Sequence, residues 1–196
     1  MPDHDFTGFG KSAATFLTTL SENNNRTWFN EHKADYERFI VQPAFAFIEA
    51  MAPRLAAISP HFRAIPGKQG GSLMRIYRDT RFGHNKAPYK VNIGIQFRHE
   101  AGKDVHTPGF YFNFQPPGLA GIHGFGGHYL GVGIWRPDRD ALAHIRKRIV
   151  AKPKEWDAAN QAKSYRKHFK DSGDSLKRPP RGFNPDHPYI DDPKQT

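Results

Sequence analysis

The chain has 196 residues, a formal net charge of +10 at pH 7 and no cysteine. The absence of cysteine excludes disulfides, iron–sulfur ligation, thiolate catalysis and zinc sites with cysteine ligands. No apolar run approaches the roughly 18–20 residues that cross a bilayer, and residues 1–5 lack the basic start of a signal peptide. We therefore expect a cytoplasmic protein that forms a single domain over residues 1–196 and does not act at a membrane.

Residues 10–60 predict helices, because their apolar residues recur at intervals of three and four. Ser12 is expected to cap a first helix that ends at Asn23, and a second helix is expected over residues 26–40. Pro43 suits the first turn of a third helix, which Pro53 should kink or divide. The apolar seams of the three helices contain Ala13, Phe16, Leu17 and Leu20, then Phe29, His32, Tyr36, Phe39 and Ile40, then Ala44, Ile48, Met51, Leu55 and Ile58.

Residues 70–136 change to a period of two, which predicts β-strands. Apolar residues alternate with polar residues or glycine over residues 91–98, 110–115 and 130–135. The glycine-lysine-aspartate stretch at residues 102–104 is expected to connect the first two strands. Because only one face of each strand is apolar, we predict an antiparallel sheet with one face buried under the N-terminal helices.

Residues 137–172 predict two further helices. Pro137 and Asp138 open the first, which ends near residue 150, and Pro153 starts the second, which ends near residues 172–173. Residues 173–196 contain five prolines and are expected to form an extended tail. The predicted fold class is α+β, an antiparallel sheet packed against N-terminal helices, with C-terminal helices and the tail.

Common catalytic signatures are absent from the sequence. Gly10-Lys11-Ser12 ends like a phosphate-binding P-loop, but Asp5 stands where the first glycine belongs. In the glycine-rich residues 121–128, two histidines have no carboxylate nearby to complete a metal site, so we expect turn glycines and no bound metal. The sequence indicates no particular cofactor and no oligomeric state.

The basic charge is concentrated in the later parts of the chain. Residues 1–70 are neutral, residues 71–136 hold eight basic against three acidic side chains, and residues 137–196 hold fourteen against nine. Within residues 75–90, five basic side chains stand against Asp79 alone. This imbalance favours an anionic partner, because each cation gains Coulomb energy near a polyanion or a phosphate group.

The segment over residues 73–90 has the pattern of a strand, a loop and a second strand. The alternation at residues 74–77 predicts a strand, and Gly83, Asn85 and Pro88 require a loop after it. Such a segment can aim several cations at one point, and guanidinium groups bind phosphate or carboxylate in a two-pronged geometry. The candidate ligand-binding residues are Arg75, Arg78, Arg81, Lys86 and Lys90.

The same segment resembles the R-x-x-R-D-x-R-F-x-x-[DN]-K-x-x-Y signature of a bacterial family of conserved hypothetical proteins, which is catalogued as a domain of unknown function. The residues that match this signature are Arg75, Arg78, Asp79, Arg81, Phe82, Asn85, Lys86 and Tyr89. Two further stretches look similar to the family, one within residues 16–36 and one at residues 176–183. The resemblance covers nearly the whole chain, and it carries over motif positions without roles.

Two interpretations of the basic segment stay open. In one, Asp79 neutralises Arg78 or Arg81 in a structural ion-pair network. In the other, one carboxylate does not balance five cations, and the segment binds a phosphate- or carboxylate-bearing small molecule. The more distant arginines that we expect to contribute are Arg26, Arg178 and Arg181.

The sequence leaves open whether the protein is an enzyme. As catalytic candidates, Asp79 either orients an arginine or serves as a general base, and Tyr89 or His84 serves as a proton donor. Neighbouring arginines should lower the pKa of Asp79, which favours the orienting role.

The alternative to an anion pocket is a nucleic-acid-binding module. It is favoured by the basic net charge, by aromatic residues interleaved with basic ones, and by a basic stripe on the last helix. That stripe consists of Lys163, Arg166, Lys167 and Lys170. A third interpretation, a partner-binding scaffold, has no specific support in the sequence.

Overall fold

The computed structural model of the chain describes residues 6–81, 84–102, 107–119, 127–171 and 175–186. The chain falls into two compact units, Met1–Ile134 and Trp135–Thr196. The first unit contains helices and an antiparallel sheet and the second contains helices, so the α+β class is confirmed. The single-domain organisation stays a prediction. The predictions that concern Phe82, Gly83 and residues 103–104, 121–126, 172–174 and 187–196 lie outside the described residues.

The first helix, α1, runs over Lys11–Glu22 and begins one residue before Ser12. Gly10 occupies the N-cap position without a side-chain hydrogen bond, so the prediction that Ser12 caps the helix is wrong. The Ala13 N–H donates to the Gly10 carbonyl at 3.0 Å, which closes the first turn ahead of the serine. The helix ends at Asn23 as predicted, and its four predicted seam residues are buried.

The predicted second helix over residues 26–40 is two helices. The short helix α2 spans Arg26–Glu31 and ends at His32, and α3 starts at Lys33 and ends at Tyr36. A π-helical turn over Glu37–Val41 leads directly into α4, Gln42–Ile58. The π-helical turn ends two residues before Pro43, whose missing N–H interrupts the regular hydrogen-bonding pattern of an α-helix.

Pro53 lies inside α4 and does not divide it. The Arg54 guanidinium donates to the Ala50 carbonyl at 2.6 Å in the same part of the helix. Ala44, Ile48 and Leu55 of the predicted seam are buried. Ile58 is 64% exposed, which corrects its placement in the seam, because the helix ends there.

The continuous helical stretch Lys33–Ile58 is long and apolar enough, by length and composition, to cross a membrane. Core helices of soluble proteins pass the same test. One face of this stretch packs into the core of the first unit through Ile40, Val41, Ala44, Ile48 and Leu55.

Four strands form an antiparallel sheet in the order β1-β2-β3-β4. They are β1 Phe62–Arg63, β2 Ile93–His99, β3 Gly109–Phe114 and β4 Tyr129–Gly133. Ile93, Ile95, Phe97 and Phe114 are buried in one cluster with the N-terminal helices, which confirms the predicted buried face. Leu130 and Val132 are about half exposed, because β4 is an edge strand with a neighbour on one side only.

The basic segment pairs through isolated bridges instead of regular strands. Leu73 pairs with Ile95 of β2, and Tyr77 pairs with Tyr89. The Arg78 N–H donates to the Pro88 carbonyl at 2.9 Å, and the Lys90 N–H donates to the Ile76 carbonyl at 2.7 Å. We call these paired residues, 76–78 and 88–90, the basic hairpin.

The second unit contains α5 Arg139–Ala151, α6 Pro153–Asn160 and α7 Lys163–His168. Asp138 caps α5 through hydrogen bonds from the N–H groups of Asp140 at 2.9 Å and Ala141 at 2.8 Å. The prediction of one helix from Pro153 to residues 172–173 is wrong, because α6 ends at Asn160. The Arg166 guanidinium donates to Asn160 and Asp171, which ties the separate helix α7 to the residues on either side. Within residues 175–186 the tail has no helix and no extended strand.

Asn24 fastens the basic hairpin to the helical layer of the first unit. Its side-chain amide donates to the Tyr89 carbonyl at 3.0 Å, and its side-chain oxygen accepts from the Tyr89 N–H at 3.0 Å. The Tyr89 ring is buried and stacks on Phe29 of α2 at 4.1 Å between ring centroids. The loop before α2 and the basic hairpin are therefore joined at one residue, although 65 positions separate them in sequence.

Replacing Asn24 should destabilise the first unit. We expect Asn24→Ala to lower the free energy of unfolding by roughly 1–3 kcal/mol, because it leaves two backbone groups of a buried residue unpaired. Urea denaturation measures this change. The matched control is Asn30→Ala, an exposed asparagine of α2, which should change stability by less than about 0.5 kcal/mol. Equal losses in the two variants would contradict the fastening role.

Candidate functional site

A cleft of about 310 Å³ opens where α2 meets the basic hairpin. Its volume is at the lower end of the roughly 300–1,000 Å³ typical of small-molecule pockets. Its walls come from both segments and contain Arg26, Asn30, Tyr77, Arg78, Thr80, Pro88 and Tyr89. We call this feature the arginine cleft.

The helix α2 places two polar side chains at the cleft. Asn25 caps it by accepting a hydrogen bond from the Trp28 N–H at 3.0 Å. Arg26 and Asn30 are four positions apart and so lie on one helix face. Phe29 is buried against Tyr89, and this contact turns the face that carries Arg26 and Asn30 toward the hairpin.

The hairpin contributes two tyrosines with different environments. Tyr89 is 3% exposed, and burial raises the pKa of its hydroxyl, an effect that Arg26 partly opposes. Tyr77 lies 5.4 Å from Tyr89 between ring centroids and is 55% exposed. The cleft therefore has one tyrosine held in its floor and one presented to solvent.

The two arginines of the cleft have no counter-ion in the structure. Among the described residues, neither the Arg26 nor the Arg78 guanidinium forms a hydrogen bond or an ion pair. The residues that line the cleft include no carboxylate. The cleft is thus positively charged, and its two guanidinium groups make no hydrogen bond within the described part of the chain.

Asp79 is paired with Arg81, and this pairing indicates a structural role for Asp79. Its carboxylate accepts from the Arg81 guanidinium at 3.0 and 2.7 Å and from the Arg81 N–H at 3.2 Å. These hydrogen bonds from Arg81 hold the pKa of the Asp79 carboxyl well below its usual range, and the charges of Arg81 and Arg75 act in the same direction. A carboxylate of such low basicity is a poor general base, so the geometry favours orientation of Arg81.

The two lysines of the basic segment are bound to backbone oxygens. The Lys86 ammonium donates to the Thr80 carbonyl at 2.9 Å, and the Lys90 ammonium donates to the Arg75 carbonyl at 2.9 Å. Burial lowers the pKa of Lys90, and the charge of Arg75 lowers it further. Both lysines therefore stabilise the hairpin and the loop that follows Arg78 through hydrogen bonds to the backbone.

The structure brings only part of the predicted cluster together. Arg78 and Tyr89 line the arginine cleft, and Arg26, expected as a distant contributor, lines it with them. The predicted candidates that lie outside the cleft lining are Arg75, Asp79, Arg81, His84, Lys86 and Lys90. Arg178 and Arg181 belong to the second unit.

Sequence reasoning missed Asn30 and Thr80 as lining residues. The available signal for Asn30 was its four-residue spacing from Arg26, which places both on one face of a helix. Nothing in the local sequence indicated that this face meets the hairpin, because the contact depends on the long-range bonds of Asn24 to Tyr89.

No metal cluster is present in the described part of the chain, where no group of three or more histidine, aspartate or glutamate side chains converges. His128 of the glycine-rich segment accepts a hydrogen bond from the Gln115 N–H at 3.2 Å and stacks on Phe114. Its partners are thus those of a packed histidine, while His123 lies outside the described residues.

Comparison with known proteins identifies a family. Residues 12–196 match the conserved hypothetical protein family DUF2461. No curated protein matches the chain. No solved structure matches it either.

The pairing of Asp79 with Arg81 predicts a pH dependence. Because the folded pKa of Asp79 lies below the unfolded value of about 3.9, the stability that the pair contributes is complete above that value. It is lost as the pH falls toward the lowered folded pKa. A carboxyl-detected NMR titration should therefore give an Asp79 midpoint below the ordinary aspartate range.

Arg81→Gln should return this midpoint to the ordinary range, because the guanidinium hydrogen bonds are its main cause. The control Arg54→Gln, which removes a guanidinium from α4, should leave the midpoint in place. An unshifted Asp79 in the wild type, or no response to Arg81→Gln, would show that the pair does not form in solution.

Proposed function

The chain belongs to the DUF2461 family of conserved hypothetical proteins, and we propose that it binds a phosphate- or carboxylate-bearing small molecule in the arginine cleft. The observation that carries the proposal is the pair of arginines, Arg26 and Arg78, which share the cleft without any acidic residue in its lining. Two like charges in one concavity repel each other, and a bound anion relieves this repulsion.

The chemistry of the lining supports an anion over a neutral ligand. Each guanidinium offers a planar fork of donors that matches two oxygens of a phosphate or carboxylate. Asn30 adds an amide donor and Thr80 a hydroxyl, while Pro88 supplies an apolar wall. A few convergent polar groups in a concave site of this size are typical of small-molecule binding.

We also propose a division of labour within the basic signature. Arg78 and Tyr89 contribute directly to the cleft, and Asp79, Arg81, Lys86 and Lys90 fix the shape of the hairpin. In this proposal Asp79 orients Arg81, and proton donation by Tyr89 or His84 is not required. Binding of the anion, with or without a reaction on it, is the proposed function.

Inorganic phosphate should stabilise the protein through the arginine cleft. A concentration about 100 times the dissociation constant contributes roughly 2.7 kcal/mol of stability by mass action. Melting temperatures in phosphate and in chloride at equal ionic strength measure the effect and separate it from general salt action. We expect Arg26→Gln and Arg78→Gln to lose most of the phosphate-specific gain.

Arg75→Gln is the matched control, because it removes an arginine of the same segment that does not line the cleft. It should keep the gain of the wild type. If Arg75→Gln loses as much as Arg78→Gln, the anion binds to the outer basic cluster. If all three variants gain as much as the wild type, phosphate acts by exclusion from the surface and the proposal fails.

A second candidate function is nucleic-acid binding by the second unit. Lys163, Lys167 and Lys170 are exposed, and among the described residues they form no ion pair. Arg166, the fourth member of the predicted stripe, is already paired with Asp171 at 2.6 Å. The helix α7 ends at His168, so Lys170 lies beyond it and the prediction of a stripe on one helix is wrong. Three cations remain available within eight residues, enough for a weak electrostatic track.

If this second function is real, binding of a single-stranded oligonucleotide should weaken steeply with salt. Replacing Lys163, Lys167 and Lys170 by alanine should flatten the logarithmic salt slope by about 2, since each phosphate contact on a single strand contributes about 0.7. Fluorescence anisotropy measures the slope, and Arg78→Gln should leave it unchanged. No binding at about 50 mM salt removes this function.

A further inference from the structure

The arginine cleft has more room than a simple anion needs. Liquid water occupies about 30 Å³ per molecule, so the volume of about 310 Å³ corresponds to roughly ten waters. Inorganic phosphate has five non-hydrogen atoms and fills only about half of such a space. The remaining space borders Tyr77 and Pro88, whose side chains offer flat apolar surface.

Tyr77 is the unusual part of this wall. It is a large aromatic side chain that stays 55% exposed, while its neighbour Tyr89 is buried. The Tyr77 side chain forms no hydrogen bond within the described residues. An aromatic surface left open beside cationic groups can receive a planar ring by stacking or edge contact.

The two guanidiniums distinguish between classes of anion. A carboxylate has one negative charge and two oxygens, and a single arginine already satisfies it in a two-pronged pair. A phosphate monoester carries a charge of about −1.5 to −2 and three terminal oxygens, so it can engage Arg26 and Arg78 together. Because neither arginine has another partner, the doubly charged group is the better match.

We propose that the ligand of the arginine cleft is a small phosphate monoester whose organic part is a planar ring, with the phosphate between Arg26 and Arg78 and the ring against Tyr77. This inference rests on the proposed anion-binding function and narrows it to one chemical class. A ring attached close to the phosphate suits this arrangement, because Tyr77 lines the same cleft as Arg26 and Arg78.

The test compares four probes by isothermal titration calorimetry: phenyl phosphate, ethyl phosphate, inorganic phosphate and benzoate. We expect the wild type to bind phenyl phosphate roughly threefold to tenfold more tightly than ethyl phosphate, the range given by one aromatic contact. Benzoate, which keeps the ring and has one charge, should bind at least about tenfold more weakly than phenyl phosphate, because it leaves one arginine unpaired.

Two substitutions at Tyr77 separate the ring from its hydroxyl. Tyr77→Leu should remove the preference for phenyl phosphate over ethyl phosphate. Tyr77→Phe should keep the preference. Both changes are at an exposed position, and a melting curve of each variant verifies its fold.

The failures are distinguishable. Equal binding of phenyl and ethyl phosphate, or a preference that survives Tyr77→Leu, overturns the planar ring and leaves anion binding in place. Equal binding of benzoate and phenyl phosphate overturns the doubly charged group. If benzoate alone binds the wild type, the phosphate monoester is overturned and anion binding stays in place. If none of the four probes binds, the proposed function itself fails.

Discussion

The arginine cleft depends on one pair of hydrogen bonds, those between the Asn24 side chain and the backbone of Tyr89. They clamp the loop before α2 to the basic hairpin, and they also fix the buried Tyr89 ring against Phe29. Together with this ring contact, the hydrogen bonds bring α2 and the hairpin to one cleft, although 65 positions separate the bonded residues. Asn24 is thus the residue that joins the helical layer to the hairpin at the arginine cleft. An apolar residue of similar size would fill the space but would leave both backbone groups of Tyr89 without a partner.

The cationic side chains of the basic segment have three different kinds of surroundings. Arg81 is neutralised by Asp79, and Lys86 and Lys90 donate to carbonyl oxygens, which carry partial negative charge. Those interactions do not involve Arg78, which lines the cleft together with Arg26. The ion-pair interpretation therefore applies to Asp79 and Arg81, and the anion site that we propose concerns Arg78 of the same segment. Structural pairing at the hairpin loop keeps Asp79 away from the cleft lining, and this separation is what leaves the cleft arginines without a counter-ion.

Periodicity was sufficient to predict the fold class, the buried face of the sheet and the apolar seam of α1, because these depend on which residues avoid water. Element ends were less predictable. Ser12 is a residue type that often caps helices, but α1 begins before it, at Lys11. Pro53 lies inside α4, where the buried residues Ile48 and Leu55 on either side of it keep the helix continuous. Of the cleft residues, Arg78 was named from the basic segment and Arg26 was expected as a distant contributor. That the two line one cleft depends on the long-range contact at Asn24, which no local pattern encodes.

Ligand binding and hairpin docking should be thermodynamically linked in this architecture. Arg26 belongs to α2 and Arg78 to the basic hairpin, so an anion held by both joins the same two segments that Asn24 joins. In the free protein, repulsion between the two guanidiniums opposes that docking, and the Asn24 bonds together with the contact of Tyr89 on Phe29 offset it. The dianion that we propose as ligand would reverse the sign of this electrostatic contribution. Its binding would then add a second link between α2 and the hairpin, beside the hydrogen bonds of Asn24.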